Sequence, residues 1–253
     1  MPDTACERCS FAIPDAADKC PHCGQSCKYP PNVRAARRDE ERDALDQHYR
    51  AAQARSEGRG CKPIVEAFEV AASRSHAVIS RSLLEAERLA TSDRELYATY
   101  YQQIEAEHRS PTADGWDSRR RIADAALFPG YERSIRFAAL SLDREGVASY
   151  GGSDGLCFLT LRGDMIEDRA SVFEDNSTIV LESHGYKPPA GARAPWENRA
   201  KLCVAKLADD LLPDSLPEGS SESCFGRPPS PRPSGSSKCT SLVQCLRARW
   251  SGS

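Results

Sequence analysis

Cys6-Glu7-Arg8-Cys9, ten intervening residues, and then Cys20-Pro21-His22-Cys23-Gly24 make up the one stretch of this chain whose chemistry can be read directly. Two cysteines separated by two residues sit on one tight turn, with both sulfurs facing the same point. A second such turn, brought alongside by a short hairpin, completes a tetrahedron of thiolates. The pattern predicts a closed metal site with Cys6, Cys9, Cys20 and Cys23 as ligands and zinc as the ion. Four thiolates leave no open coordination position, so the ion is expected to be structural rather than catalytic. Gly24 suits a turn position that needs positive φ. The competing reading is a disulfide pair or a redox Cys-x-x-Cys, and two such units at this spacing arise by accident more rarely than one. Cys27 is a spare thiol at a poorer spacing, and His22 reads as an exposed filler within the knuckle.

Ser10 to Lys19 reads as a short strand, a Pro14-Asp15 turn and a return, with Phe11 and Ile13 as its only large apolar groups. So small a unit cannot fold on its own core, and ligation must supply most of its stability. Residues 6–24 resemble the short bacterial zinc-ribbon module, which has two Cys-x-x-Cys knuckles, a proline turn between them and Cys-Pro-x-Cys-Gly at the second. Ser10 stands where the first knuckle of that module often carries glycine. The resemblance implies zinc binding. It leaves the role open among docking a protein partner, docking a nucleic-acid partner and capping a terminus. Arg8, Lys19, Lys28, Arg34, Arg37 and Arg38 lie in or beside the module and provide a local basic face.

A second group of polar residues lies farther along: Tyr150-Gly151, then Arg169, Ser171, Glu174, Asp175, Asn176 and Ser177. An arginine can hold a phosphate in two-pronged fashion, and a carboxylate near a glycosidic centre can support an oxocarbenium-like transition state. The same residues also read as a loop and a helix cap, since Asp175-Asn176-Ser177 is ordinary turn chemistry. The order of strand, Tyr-Gly, strand, Arg-x-Ser and Asn-Ser resembles bacterial toxin domains of ADP-ribosyltransferase type. That resemblance implies an NAD-consuming transferase, with Arg136, Tyr150 and Glu174 in the arginine, aromatic and acidic roles and Arg169 beside them. No Glu-x-Glu doublet stands in this stretch.

The elements that must position these residues follow from pattern and totals. The chain has 253 residues and a formal net charge of −3, so no global basic field exists to hold nucleic acid. No run of some 18 apolar residues predicts a membrane span, and the start lacks a charged-then-apolar signal segment. Five of the 11 cysteines fall before residue 30, a distribution that fits a reducing cytoplasm with one metal site. Four regions are expected: a zinc ribbon over 1–28, a linker and spacer helix over 29–60, an α+β main domain over 61–212, and a disordered tail over 213–253. Asn32 reads as the N-cap of a solvated helix to about residue 55. Residues 61–130 read as all-helical. Strands are expected over 135–142, 156–161 and 178–181, in a small mixed sheet, followed by an amphipathic helix from Trp196 to Leu212.

Overall fold

The structure, a computed structural model, describes residues 5–91, 98–106, 115–142, 156–212 and 242–245. It is α+β. Among the described residues the chain runs α1 (Pro31–Ala36), α2 (Asp39–Gly58), α3 (Lys62–Ser73), β1 (His76–Ser82), α4 (Leu83–Ala90), α5 (Tyr100–Glu105), α6 (Trp116–Leu127), β2 (Arg136–Ser141), β3 (Leu156–Thr160), α7 (Gly163–Ile166), β4 (Ala170–Phe173), α8 (Ser177–Ser183), β5 (Arg193–Pro195), α9 (Arg199–Leu207) and β6 (Leu242–Cys245). The strands pair in the order β3-β1-β2-β6-β4-β5. Every described pairing is antiparallel, so the expected mixed sheet is corrected to an antiparallel one.

Helices cover both faces of the sheet. On one face Ala77, Ile79, Ala138, Ala170, Val172 and Ala194 pack against Leu45 of α2 and Leu202 of α9. Behind them α2, α3 and α9 close a second cluster around Ala52, Phe68, Val204 and Leu207. On the opposite face Phe173 meets Leu127 of α6 and Val180 and Leu181 of α8. Val172 and Phe173 are neighbours that serve opposite faces, as the period of two in a strand requires.

Several expectations are corrected. His76–Ser82 is a strand, not a continuation of the helix before it. Ala77, Val78 and Ile79 are all buried, and a strand paired on both sides with helices on both faces reads as an unbroken apolar run. Thr178 to Leu181 is helical despite its β-branched residues. Asn176 accepts a hydrogen bond from the Thr178 backbone N–H at 3.0 Å, and packing against α6 favours that start over strand propensity. Asn32 is not a cap. It lies inside α1, buried, and its Nδ2 donates to the Arg169 carbonyl and to Ser171 Oγ, both at 3.2 Å. The spacer helix exists as α2, but it is packed rather than solvated, with Leu45 at 2% and Ala52 at 0% exposure. Of the tail read as disordered, Leu242–Cys245 is a strand between β2 and β4, where backbone pairing on both edges holds it.

One joint ties α2 to the sheet. Glu41, buried, accepts from the Gly191 backbone N–H at 2.8 Å and from Arg193 Nε at 2.6 Å. Gly191 has φ +78°, and a Cβ there would stand 2.8 Å from the Leu45 backbone nitrogen. Only glycine permits both the conformation and the approach. Breaking a buried pair such as Glu41–Arg193 from one side costs about 3–5 kcal/mol.

Candidate metal centre

Two knuckles of matching construction build the site. In the first, the Cys6 N–H donates to the Phe11 carbonyl at 2.9 Å and the Ser10 N–H to the Cys6 carbonyl at 2.8 Å. In the second, the Cys20 N–H donates to the Gln25 carbonyl at 2.8 Å and the Gly24 N–H to the Cys20 carbonyl at 2.9 Å. The residue after each second cysteine is left-handed: Ser10 at φ 58° and Gly24 at φ 71°. Short antiparallel bridges, Ala5 with Ala12 and Lys19 with Ser26, flank the knuckles.

The result brings Cys6, Cys9, Cys20 and Cys23 together, with all four sulfurs within 4.8 Å of one another. Cys6 Sγ lies 3.5 Å from Cys23 Sγ, and Cys9 Sγ lies 3.5 Å from Cys20 Sγ. A disulfide needs about 2.05 Å, so these are four separate thiols. Thiolates at about 2.3 Å from a tetrahedral ion stand roughly 3.8 Å apart, close to the spacing observed. The donor set therefore fits a metal ion and is compatible with a zinc-ribbon-like motif.

Electrostatics agree with that fit. Burial opposes charge on Cys6, but the backbone N–H groups of Arg8 and Cys9 and the Cys23 and Cys9 thiols together outweigh it and bring that thiol down to about 7. At Cys9 the Phe11 backbone N–H favours the thiolate, yet burial and the Cys20, Cys23 and Cys6 thiols push it up to about 12. Four thiols this close cannot all ionise unaided; a cation among them removes the conflict and drives deprotonation. Cys27 is outside the cluster, and its Sγ donates to the Ala17 carbonyl at 3.7 Å. His22 is an exposed ring stacked on Phe11, with centroids 5.4 Å apart.

A groove of about 360 Å³ opens on the flank of the first knuckle. Glu7, Arg8, Lys28, Tyr29 and Arg34 are among the residues that line it. Arg8 and Lys28 are exposed. Lys28 Nζ lies 4.9 Å from the centroid of the Tyr29 ring, and Arg37 covers the same ring at 4.2 Å. Patterning alone did not reveal this groove, because Tyr29 and Lys28 meet Cys6 and Arg8 only when the second knuckle folds back.

Of the other candidate residues, Arg136 and Arg169 lie at the same end of the sheet, since Arg136 and Ala170 both stand opposite Cys245 of β6. Arg169 is exposed at the entrance of β4, and Glu174 follows its exit. The four residues of β4 lie between them, a span of roughly 16 Å over five steps of extended chain. Burial raises the pKa of Glu174, with Lys206 countering it and Asp175 adding to it. Arg136 opens β2, and Tyr150 lies outside the described residues. Asp175 and Asn176 form the start of α8, where Asp175 Oδ1 accepts from the Asn176 N–H at 2.7 Å. Among the described residues, no helix is long and apolar enough to cross a membrane.

No protein-family model, no curated protein and no solved structure matches this chain.

Proposed function

We propose that residues 5–29 are a zinc-stabilised docking module whose groove takes an acidic segment of a protein partner. The observation that carries this reading is the convergence of four thiols into one closed cluster with a cationic groove on its flank. A closed tetrathiolate site supplies stability and no open position for chemistry. The groove offers Arg8 and Lys28 as reachable cations beside the Tyr29 ring, a suitable seat for one or two carboxylates. A phosphate chain fits less well. The net charge of −3 gives no extended field, and Glu7 and Asp18 interrupt the basic face.

Elemental analysis of the full chain is expected to return about one zinc per chain, lost in Cys9→Ser or Cys20→Ser. Fluorescence anisotropy of the zinc-loaded chain then compares an acidic peptide with a single-stranded oligonucleotide. The peptide is expected to bind in low salt, and the double variant Arg8→Glu/Lys28→Glu to weaken it about tenfold or more. Tighter binding of the oligonucleotide would transfer the module to nucleic acid. Binding of neither would remove the docking role.

A further inference from the structure

One buried cation holds the seam between the ribbon and the body. Arg34 sits on α1 at 4% exposure. Its Nη1 donates to the Tyr29 carbonyl at 2.9 Å. Its Nη2 donates to the carbonyls of Pro14 at 3.1 Å, Asp15 at 2.8 Å and Ala17 at 2.9 Å. Three of these four acceptors belong to the turn that joins the two knuckles. The hydrogen-bond partners of this guanidinium among the described residues are thus backbone carbonyls of the ribbon and its exit. A buried cation hydrogen-bonded to such dipoles depends on their exact placement.

The same turn is attached to the body from two other directions. Arg38 Nη2 pairs with Asp15 Oδ1 at 2.5 Å. Ala16 packs on the cluster of Phe128 and Tyr131, and its Cβ lies 3.5 Å from where a Cβ on Gly130 would stand. On its far side α1 is committed to the sheet. All six of its residues are buried, and Asn32 bonds to Arg169 and Ser171 at the start of β4.

We infer that metal occupancy of the ribbon is transmitted to the body through Arg34. The ion sets the two knuckles, the knuckles set the turn between them, and the turn solvates the guanidinium that anchors α1 against β4 and β5. Loss of the ion removes three acceptors from a buried cation and loosens α1 from the sheet. By reciprocity, a folded body tightens metal binding. This inference rests on the reading of the four cysteines as a metal site and adds a consequence for the body that a freely hinged ribbon would not have.

The test uses the full chain loaded with zinc. Hydrogen exchange over residues 31–37 is followed before and after chelation, while released zinc is measured by a chromogenic chelator. Exchange in α1 is expected to accelerate about tenfold or more once zinc leaves. In Arg34→Met, chelation is expected to change it less than about threefold. Arg34→Lys keeps the charge with fewer donors, and it replaces the methionine variant, with the same expectation, if that one does not fold. Zinc release without acceleration in the wild-type chain would overturn the coupling and leave the metal centre standing. Equal acceleration in wild type and variant would overturn the role of Arg34. A chain that never holds zinc would end both readings.

Discussion

Ser10 carries the clearest residue-scale cost in the ribbon. It is left-handed at φ 58°, in the position where the second knuckle has Gly24 at φ 71°. A side chain in that region costs about 1–2 kcal/mol that glycine avoids. Ser10→Gly is therefore expected to slow zinc loss to a competing chelator several-fold, and faster loss would show that the serine side chain contributes more than its backbone costs. Asp124 is the matching case in the body. It is fully buried on α6, beside Arg120 and the Tyr101 hydroxyl, which donates to its Oδ2 at 3.1 Å. Burial raises its pKa from 3.8 to about 6, with Arg120 and Tyr101 countering and Glu132 adding to the rise. An acid with a raised folded pKa favours the folded state at low pH. Relative to the fully protonated state, stability falls as pH climbs from about 4 to about 6, by about 3 kcal/mol in all. Asp124→Asn should remove most of that fall in urea midpoints, with Glu174, raised in the same sense, supplying the remainder. The comparison is between variant and wild type at each pH, so the pH dependence of the thiols cancels. Parallel curves would show that Asp124 does not titrate in this window.

At the scale of elements, capping and packing outweighed propensity more than once. The run Thr178-Ile179-Val180-Leu181 has the composition of a strand, yet Asn176 starts it as a helix whose Val180 and Leu181 face α6. Conversely, β1 lies in a stretch whose apolar residues also satisfy a helical spacing. The neighbours β2 and β3 decide between the two by offering backbone partners on both edges. α2 shows the same dependence. Its sequence is rich in charge, and only Leu45 and Ala52 among its apolar groups are fully buried, but these two enter two different core clusters. Its charges are used as well: Glu41 with Arg193, Asp46 with Lys201 at 2.7 Å, and Arg55 with Asp209 at 2.8 Å.

For the whole molecule, this packing makes α1 and α2 part of the fold. A chain beginning at residue 61 would lack Leu45, Ala52 and Glu41, uncover part of one sheet face and strand Arg193 without its carboxylate. Losing a buried large side chain alone costs about 2–5 kcal/mol, and the total stability of a domain is about 5–15 kcal/mol. Residues 61–212 alone are expected to show no cooperative urea transition by circular dichroism, whereas the full chain shows one. A cooperative transition in the fragment would mean that α2 merely rests on an independent body.

The sequence alone determined the features that depend on near neighbours. The two knuckles are legible because ligand spacing along the chain is itself the chemistry. Trp196 to Leu212 reads as one amphipathic helix; the α-helix itself is Arg199–Leu207, with a 3-10 turn at each end, and Trp196, Leu202, Cys203, Leu207 and Leu211 are all buried. The strands at 136–141 and 156–160 also stand within the runs 135–142 and 156–161 expected from the apolar pattern. Tertiary structure decided what depends on distant partners: that Val78 and Ile79 lie in a strand, that α2 is packed, and that Arg169 and Glu174 stand at opposite ends of β4. Arg34 shows the reason most plainly. In the sequence it is one basic residue among several, and only the fold brings Pro14, Asp15 and Ala17 to its guanidinium and makes it the link between the ribbon and the sheet.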